Sequence, residues 1–361
     1  MLPHALRTAY GLLSKRLTYV HAGVTHRCNL RCTMCRIWTR AGDLPEASPD
    51  RWREVARLLA NRGATTVSLG GGEPFCRTDL PEIVAAFADN GFRVRALTNG
   101  VMVNQKALRT CIDAGLADLS FSLDTLDAEL QERLDGMPGG LAKRLDNLAM
   151  ISQTLPDRVT VQLNTVVNAF NLEHLTPIAD LAASLGFSVS YIPVHLDPSG
   201  GNDFFGCDDE LKLPDEAADK LRAAVDHMLD DKRRRGHIAN SRSFLAMIPD
   251  FLLEGKTDWL CEAGLLYLSL RPDAKASVCH HYETTDAIEV EDLETVWTKD
   301  KLKQAIASCP GCLRPCWTEV ALLAQLFGPL KDQLQLQRTL RRTKRRPVDA
   351  AQIRRLAKVE T

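Results

Sequence analysis

Between about residues 17 and 195, short apolar stretches alternate with longer segments of helical period. This is the pattern of βα units built on a parallel sheet. A first strand is expected over Leu17–Thr25, ending at a cysteine-rich loop. Ser48 as N-cap and Pro49 just inside open a helix at about Asp50–Asn61, with Trp52, Val55, Ala56 and Leu59 as its apolar stripe. Thr65–Leu69 reads as a second strand, followed by Gly70-Gly71-Gly72-Glu73-Pro74 and a helix that runs to Gly91. Val94–Leu97 is a third strand ending in Thr98-Asn99-Gly100, and Gln105–Ala114 a third helix.

Apolar and polar residues alternate strictly in Leu119–Asp124 and again in Val159–Asn164. Helices cover the outer face of a βα sheet, so the apolar positions point at helices. Ser120, Ser122, Asp124, Thr160, Gln162 and Asn164 then face inward. A closed barrel fills that space with Val, Ile and Leu, so a polar lining implies a wide, wet cavity holding a ligand. An antiparallel sheet with one face in water would show the same alternation. The helical stretches Leu126–Leu134 and Leu141–Leu155 argue against it. A sixth strand, Ser188–Val194, completes six βα repeats, and a Gly- and Asp-rich loop, His195–Leu213, leads to helices at about Asp215–Arg235 and Ser243–Leu253.

The first strand delivers Cys28-Asn-Leu-Arg-Cys32-Thr-Met-Cys35. Three thiolates this close can hold three corners of an iron–sulfur cube, because soft sulfur suits iron. With no fourth cysteine nearby, one iron stays open, as at catalytic metals generally. A structural zinc site is the alternative; it needs a fourth ligand, which His26 could supply.

The CxxxCxxC spacing, with GGEP one βα unit later, resembles the signature of the radical SAM superfamily. The resemblance implies a partial (βα)6 TIM-like barrel with a lateral opening, within an α/β chain. It also implies a 4Fe–4S cluster whose open iron chelates S-adenosylmethionine (SAM), and reductive cleavage to a 5′-deoxyadenosyl radical that abstracts hydrogen from a substrate. A flavodoxin- or ferredoxin-type electron donor goes with that chemistry. Carried over to this chain, Gly71, Gly72, Glu73 and Pro74 hold the SAM ammonium. Ser122, Asp124 and Asn164, with Asn99 as a weaker candidate, take its ribose and carboxylate. The residue before the third cysteine is usually aromatic; here it is Met34, whose thioether can still meet a purine face.

A second cysteine set, Cys261, Cys279, Cys309, Cys312 and Cys316, resembles the auxiliary-cluster region of SPASM or Twitch type. Cys261 through Cys279 looks like its opening β-hairpin. Five cysteines suit one auxiliary 4Fe–4S cluster, with Cys261, Cys279, Cys309 and Cys312 as first choice and Cys316 a substitute or free. A zinc ribbon is the rival pattern. His280 and His281 flank Cys279 and can ligate or relay protons, though exposed hairpin histidines are commoner. Cys111 reads as core packing and Cys207 as a linker residue, while Cys76, close after GGEP, could border the cavity.

The remaining features narrow the picture. The expected domains are an amphipathic segment (1–16), the barrel (17–195), a linker with helices (196–258), a smaller α+β auxiliary-cluster domain (259–320) and a basic helical tail (321–361). The 361 residues carry a net charge of −1 and 11 cysteines in tight groups, which suits metal binding in a reducing cytoplasm more than disulfides. The amphipathic opening segment is expected to dock under the barrel, with contact to a membrane surface as the alternative. The tail holds Arg338, Arg341, Arg342, Lys344, Arg345, Arg346, Arg354, Arg355 and Lys358. Such runs are usually solvated faces or disordered ends. Peripheral contact with anionic lipid is the functional alternative, and nucleic acid is not expected without interleaved aromatic residues. For the substrate, the small auxiliary domain points to oxidation or rearrangement of a small molecule. The alternatives are maturation of a ribosomally made peptide and a non-enzymatic zinc-binding protein.

Overall fold

In the computed structural model, residues 3–195, 209–282, 287–325, 327–343 and 345–358 are described; Cys207, Lys344 and most of the 195–213 loop lie outside them. Six parallel strands follow one another in the chain: β1 Tyr19–Thr25, β2 Thr66–Gly71, β3 Arg93–Thr98, β4 Leu116–Ser122, β5 Thr160–Val167 and β6 Ser188–Pro193. Between them run helices α1 His4–Leu13 (before β1), α2 Pro49–Asn61, α3 Leu80–Ala88, α4 Gln105–Asp113, α5 Ala128–Asp135, α6 Gly140–Thr154 and α7 Leu175–Leu185. The expected βα order is present, with shifts of a few residues at the ends. Ser48 caps α2, its side chain accepting from Arg51 N, with Pro49 at the first helical position.

The sheet is unclosed, in the order β6-β5-β4-β3-β2-β1-β7-β8. After β6 come α8 Ala218–Arg235 and α9 Arg242–Glu254, then β7 Tyr267–Leu270 and β8 Ala276–Ser277. β7 pairs parallel with β1, Tyr19 opposite Tyr267, and β8 turns back antiparallel as the expected hairpin. The cysteine-rich hairpin therefore continues the barrel sheet. Short helices α10 Leu293–Val296 and α11 Lys299–Ala307 follow, then α12 Pro315–Gln325, α13 Phe327–Arg342 and α14 Ala350–Ala357.

Outward positions of the strands bury completely, as Val94 and Ala96 on β3 and Leu119 and Phe121 on β4 show. They pack on the helices in one continuous core. α1 docks at the N-terminal end of the sheet: His4 Nε2 meets Thr65 O at 3.1 Å and Thr8 Oγ1 meets Thr65 Oγ1 at 2.9 Å. The basic tail folds back on the barrel instead of ending in solvent. Arg345 donates to the carbonyls of Leu155, Pro156 and Val159, Arg354 pairs with Asp146 at 2.5 Å, and Ile353 is fully buried. Among the described residues, no helix is long and apolar enough to cross a membrane.

Candidate active site

The cysteine loop leaves the C-terminal end of β1 and is laced to its neighbours by backbone bonds. Gly72 N donates to Thr25 O at 2.7 Å and Glu73 N to Arg27 O at 2.8 Å. A Cβ on Gly71 would stand 2.3 Å from Thr25 O, and one on Gly72 2.2 Å from Arg27 O. The glycines are needed so that two loops can touch. The backbone they approach is that of Thr25, which ends β1, and of Arg27, which opens the cysteine loop.

Glu73 is buried, and its carboxylate accepts from Phe75 N, Thr98 Oγ1 and Asn99 N at 2.7–3.1 Å. Burial raises its pKa to about 7. Pro74 opens a short 3-10 turn behind it. Asn99 turns its amide to the cysteines: Nδ2 donates to Asn29 Oδ1 at 2.8 Å and lies 3.8 Å from Cys28 Sγ.

Asp124 is buried just beyond β4 and accepts from Val166 N at 2.7 Å; burial raises it to about 6. Ser122, the last residue of β4, pairs in register with Asn164 in the middle of β5, and Gln162 Nε2 donates to Asn164 Oδ1.

A network absent from the sequence reading ties these parts together. Gln131 Oε1 accepts from the amides of Asp124 and Thr125, and Gln131 Nε2 donates to Asp135 Oδ2 at 3.0 Å. The same carboxylate oxygen takes Arg144 Nη1 at 2.5 Å, and Arg144 Nε donates to Asn99 O at 2.8 Å. Arg31 N and Thr33 N, inside the cysteine loop, donate to Asp135 O and Leu134 O. The signal in the sequence is three polar residues, Gln131, Asp135 and Arg144, beside the leucines Leu134, Leu141, Leu145 and Leu148 on the buried faces of their helices.

Cys28, Cys32 and Cys35 are free thiols. Burial raises Cys32 well above the ordinary thiol range, and the neighbouring Cys35 and Cys28 raise it further. Sulfurs that repel one another as anions are a set that a cation can hold as thiolates, and the Asn99 amide beside Cys28 is a donor suited to a metal-bound sulfur. These residues fit an iron–sulfur cluster. The thiols are neighbours rather than a closed cage: among the described residues, no three His, Cys, Asp or Glu stand in coordinating geometry.

The second set converges under β7 and β8. Charges on Cys312, Cys309 and Cys261 each raise Cys279, behind the larger effect of burial, and burial pushes Cys312 up to about 12. Tyr267 Oη lies 3.1 Å from Cys261 Sγ, and Gly311 N donates to Cys309 Sγ at 3.4 Å. Cys316 differs, because it also borders the barrel interior. His280 is buried, not exposed as expected, with its ring 4.2 Å from that of His21. Cys111 is core, and Cys76 lies by Glu73 and Cys28, away from the barrel cavity.

That cavity, about 490 Å³, lies between the strands and α12. Ser120, Gln162 and Asn164 line it as the alternation requires, with Met34 at its cysteine-loop end. Thr160 instead donates to Asp118. His21, Arg95, Arg314 and Glu319 also line it, and none of these was anticipated.

Residues 23–182 match the family model of the radical SAM superfamily. The PqqA peptide cyclase of Rhodopseudomonas palustris is 28% identical over 269 residues, 74% of this chain and 68% of the relative. The AdoMet-dependent heme synthase of Methanosarcina barkeri is 33% identical over 181 residues, 50% of this chain and 51% of the relative. Among solved structures, Streptococcus suis SuiB bound to S-adenosylmethionine superposes with a TM-score of 0.63 at 16% identity, covering 87% of this chain and 76% of SuiB. The complex of SuiB with precursor peptide SuiA gives 0.62, again at 16% identity, over 85% of this chain and 70% of SuiB. The cysteine loop, the partial barrel and these matches agree: residues 23–182 form a radical SAM superfamily domain, and the cysteine-rich region that follows is consistent with those of its relatives.

Proposed function

We propose that this enzyme modifies a peptide, using its SAM-dependent radical chemistry to oxidise or cross-link a residue that enters the barrel. The observation that carries the reading is the likeness to PqqA peptide cyclase, which runs through 74% of this chain and so reaches beyond the barrel. Small-molecule chemistry, the first expectation from the sequence, is the second reading. It has the AdoMet-dependent heme synthase in its favour, over half of the chain.

In this reading Cys28, Cys32 and Cys35 hold the SAM-binding 4Fe–4S cluster, and Cys261, Cys279, Cys309 and Cys312 the auxiliary one. Cys316 is left at the cavity. Bound SAM and its cluster supply a 5′-deoxyadenosyl radical once an external donor of the flavodoxin or ferredoxin type provides an electron. The chain's own work is placement and exclusion of water. Glu73 and Asp124 fix the loops that would hold SAM; Ser122, Asn99 and Asn164 would take its polar groups and Met34 would meet its purine. The Gln131–Asp135–Arg144 network keeps the cysteine loop in register with those groups. Burial holds the pKa of His21 well below the usual imidazole range, and the neighbouring His280 and Arg314 lower it further.

The test is anaerobic reconstitution with iron and sulfide, followed by reduced enzyme, SAM and a pool of short peptides. The reading expects 5′-deoxyadenosine to rise with a subset of peptides that lose two hydrogens by mass spectrometry. Turnover of metabolites alone, with every peptide returned unchanged, would reject it.

A further inference from the structure

Arg95 stands on β3 with its side chain on the cavity, in register between Ser68 of β2 and Asp118 of β4. Its acidic neighbour is already engaged. Arg93 holds both oxygens of Asp118 at 2.6 Å, and Thr160 donates to Oδ1 as well. Arg95 itself makes no hydrogen bond or ion pair among the described residues. One carboxylate facing two guanidinium groups leaves a positive charge over, in a cavity partly shielded from water.

The other charges on this wall have other occupations. Arg314 lies among Cys312, Cys316 and the ring of His195, and it favours the thiolate forms of both cysteines. Its charge answers to the cysteine set. Glu319 has Oε1 engaged by Ser241 N at 2.7 Å and lies near Lys232, and its Oε2 is an acceptor without a partner. One step from Arg95 toward the cysteine loop, Ser120 is opposite Gln162, and its buried hydroxyl has no partner either. Strand rise is about 3.3 Å per residue. An extended side chain lying along β4 could therefore reach Arg95 at one end while its stem stands toward the SAM site. A half-buried guanidinium that shares its one acidic neighbour with Arg93 keeps its hydrogen-bond donors for a ligand, and its planar fork matches a carboxylate.

We infer that the barrel cavity receives a carboxylate of the substrate, which Arg95 binds as a salt-bridged pair with the Ser120 hydroxyl as a further donor. The inference rests on the cavity being the substrate chamber of the peptide reading, and it deepens that reading to acid-bearing peptides. The carboxylate is either an Asp or Glu side chain or a chain end.

Three probes separate these sources on the anaerobic holoenzyme by ligand-observed saturation-transfer NMR: N-acetyl-glutamate α-amide, N-acetyl-alanine and N-acetyl-glutamine amide. At least one acid probe is expected to bind about tenfold or more tightly than the glutamine probe. Preference for the glutamate probe assigns a side chain, and preference for acetyl-alanine assigns a chain end. Arg95→Gln should erase the preference and Arg95→Lys keep part of it, with iron content unchanged in both. Equal binding of acid and amide probes to the unaltered enzyme would overturn the inference, and that comparison needs no variant to fold. So would a preference that survives Arg95→Gln, or an auxiliary-cluster EPR signal that changes while the preference does not. A clear acid preference alongside a peptide pool that never raises 5′-deoxyadenosine would uphold the anion site and reject the peptide reading alone.

Discussion

Arg144 does for the cysteine loop what no cysteine can do. Its guanidinium, 2% exposed, joins Asp135 to the carbonyl of Asn99, and Asp135 O in turn receives the amide of Arg31. Removing one partner of a buried ion pair strands the other, at about 3–5 kcal/mol, whereas removing both costs much less. Arg144→Leu is therefore expected to lower stability by about that amount and to loosen SAM binding. Asp135→Leu with Arg144→Leu should recover part of the stability but not the SAM affinity, because Asn99 is still untethered. Denaturant titration and equilibrium dialysis with SAM check the two arms. The sequence shows the cysteines and GGEP because their spacing is local. It hides the wiring among Gln131, Asp135 and Arg144 because such partners meet only after two helices have packed. His21, Arg95 and Glu319 are hidden likewise, although the alternation Arg93-Val94-Arg95-Ala96 already marks Arg95 as inward-facing.

At the scale of elements, the strands were legible wherever one face is apolar and the other polar, as on β4 and β5. The C-terminal strap was not. Its arginines dominate the composition, so the run reads as a solvated face, and the apolar residues between them go unnoticed. In the fold, Val348 N donates to Ser152 Oγ at 3.0 Å, Asp349 and Gln352 form a capping box, and Ile353 is buried where α14 meets α6 and α7. Arg345 covers three carbonyls at the α6–β5 turn that would otherwise need water. The strap therefore belongs to the barrel's outer layer. Ile353→Ala should destabilise by about 2–5 kcal/mol, the range for emptying a core position. Arg355→Ala, on the exposed side of the same helix, should stay within about 0.5 kcal/mol. Thermal denaturation of the two variants side by side checks the contrast, and an equal small effect for both would mean that the strap is only loosely held.

For the whole molecule, the decisive feature is that the cysteine-rich hairpin and the barrel share one sheet. β7 supplies the ladder for β1 from Tyr19 to Ala22, the strand that carries the cysteine loop. The shared sheet brings Tyr19, His21, Tyr267, His280 and Trp317 into one aromatic cluster beneath it; Tyr267 and Trp317 stack at 4.7 Å, and Tyr19 meets Trp317 edge-on at 5.8 Å. Leu268 and Leu270 are buried in the same core as the barrel strands, and α12 walls the cavity those strands enclose. An unpaired edge strand with an apolar face is an aggregation hazard. A chain cut after residue 258 would expose β1 along its length and open the cavity to water. Such a fragment is expected to be poorly soluble and, where it is recovered, to cleave SAM far more slowly than the full chain, although it keeps Cys28, Cys32, Cys35 and GGEP. Serine at Cys261 and Cys279 in the full chain leaves β7 in place, and should spare SAM cleavage while lowering the iron bound per chain. The pair of measurements separates two roles for the region after the barrel. A soluble fragment with full SAM cleavage would make that region an accessory; loss in the fragment with retention in the serine variant would make its strand part of the catalytic scaffold, independently of any metal it holds.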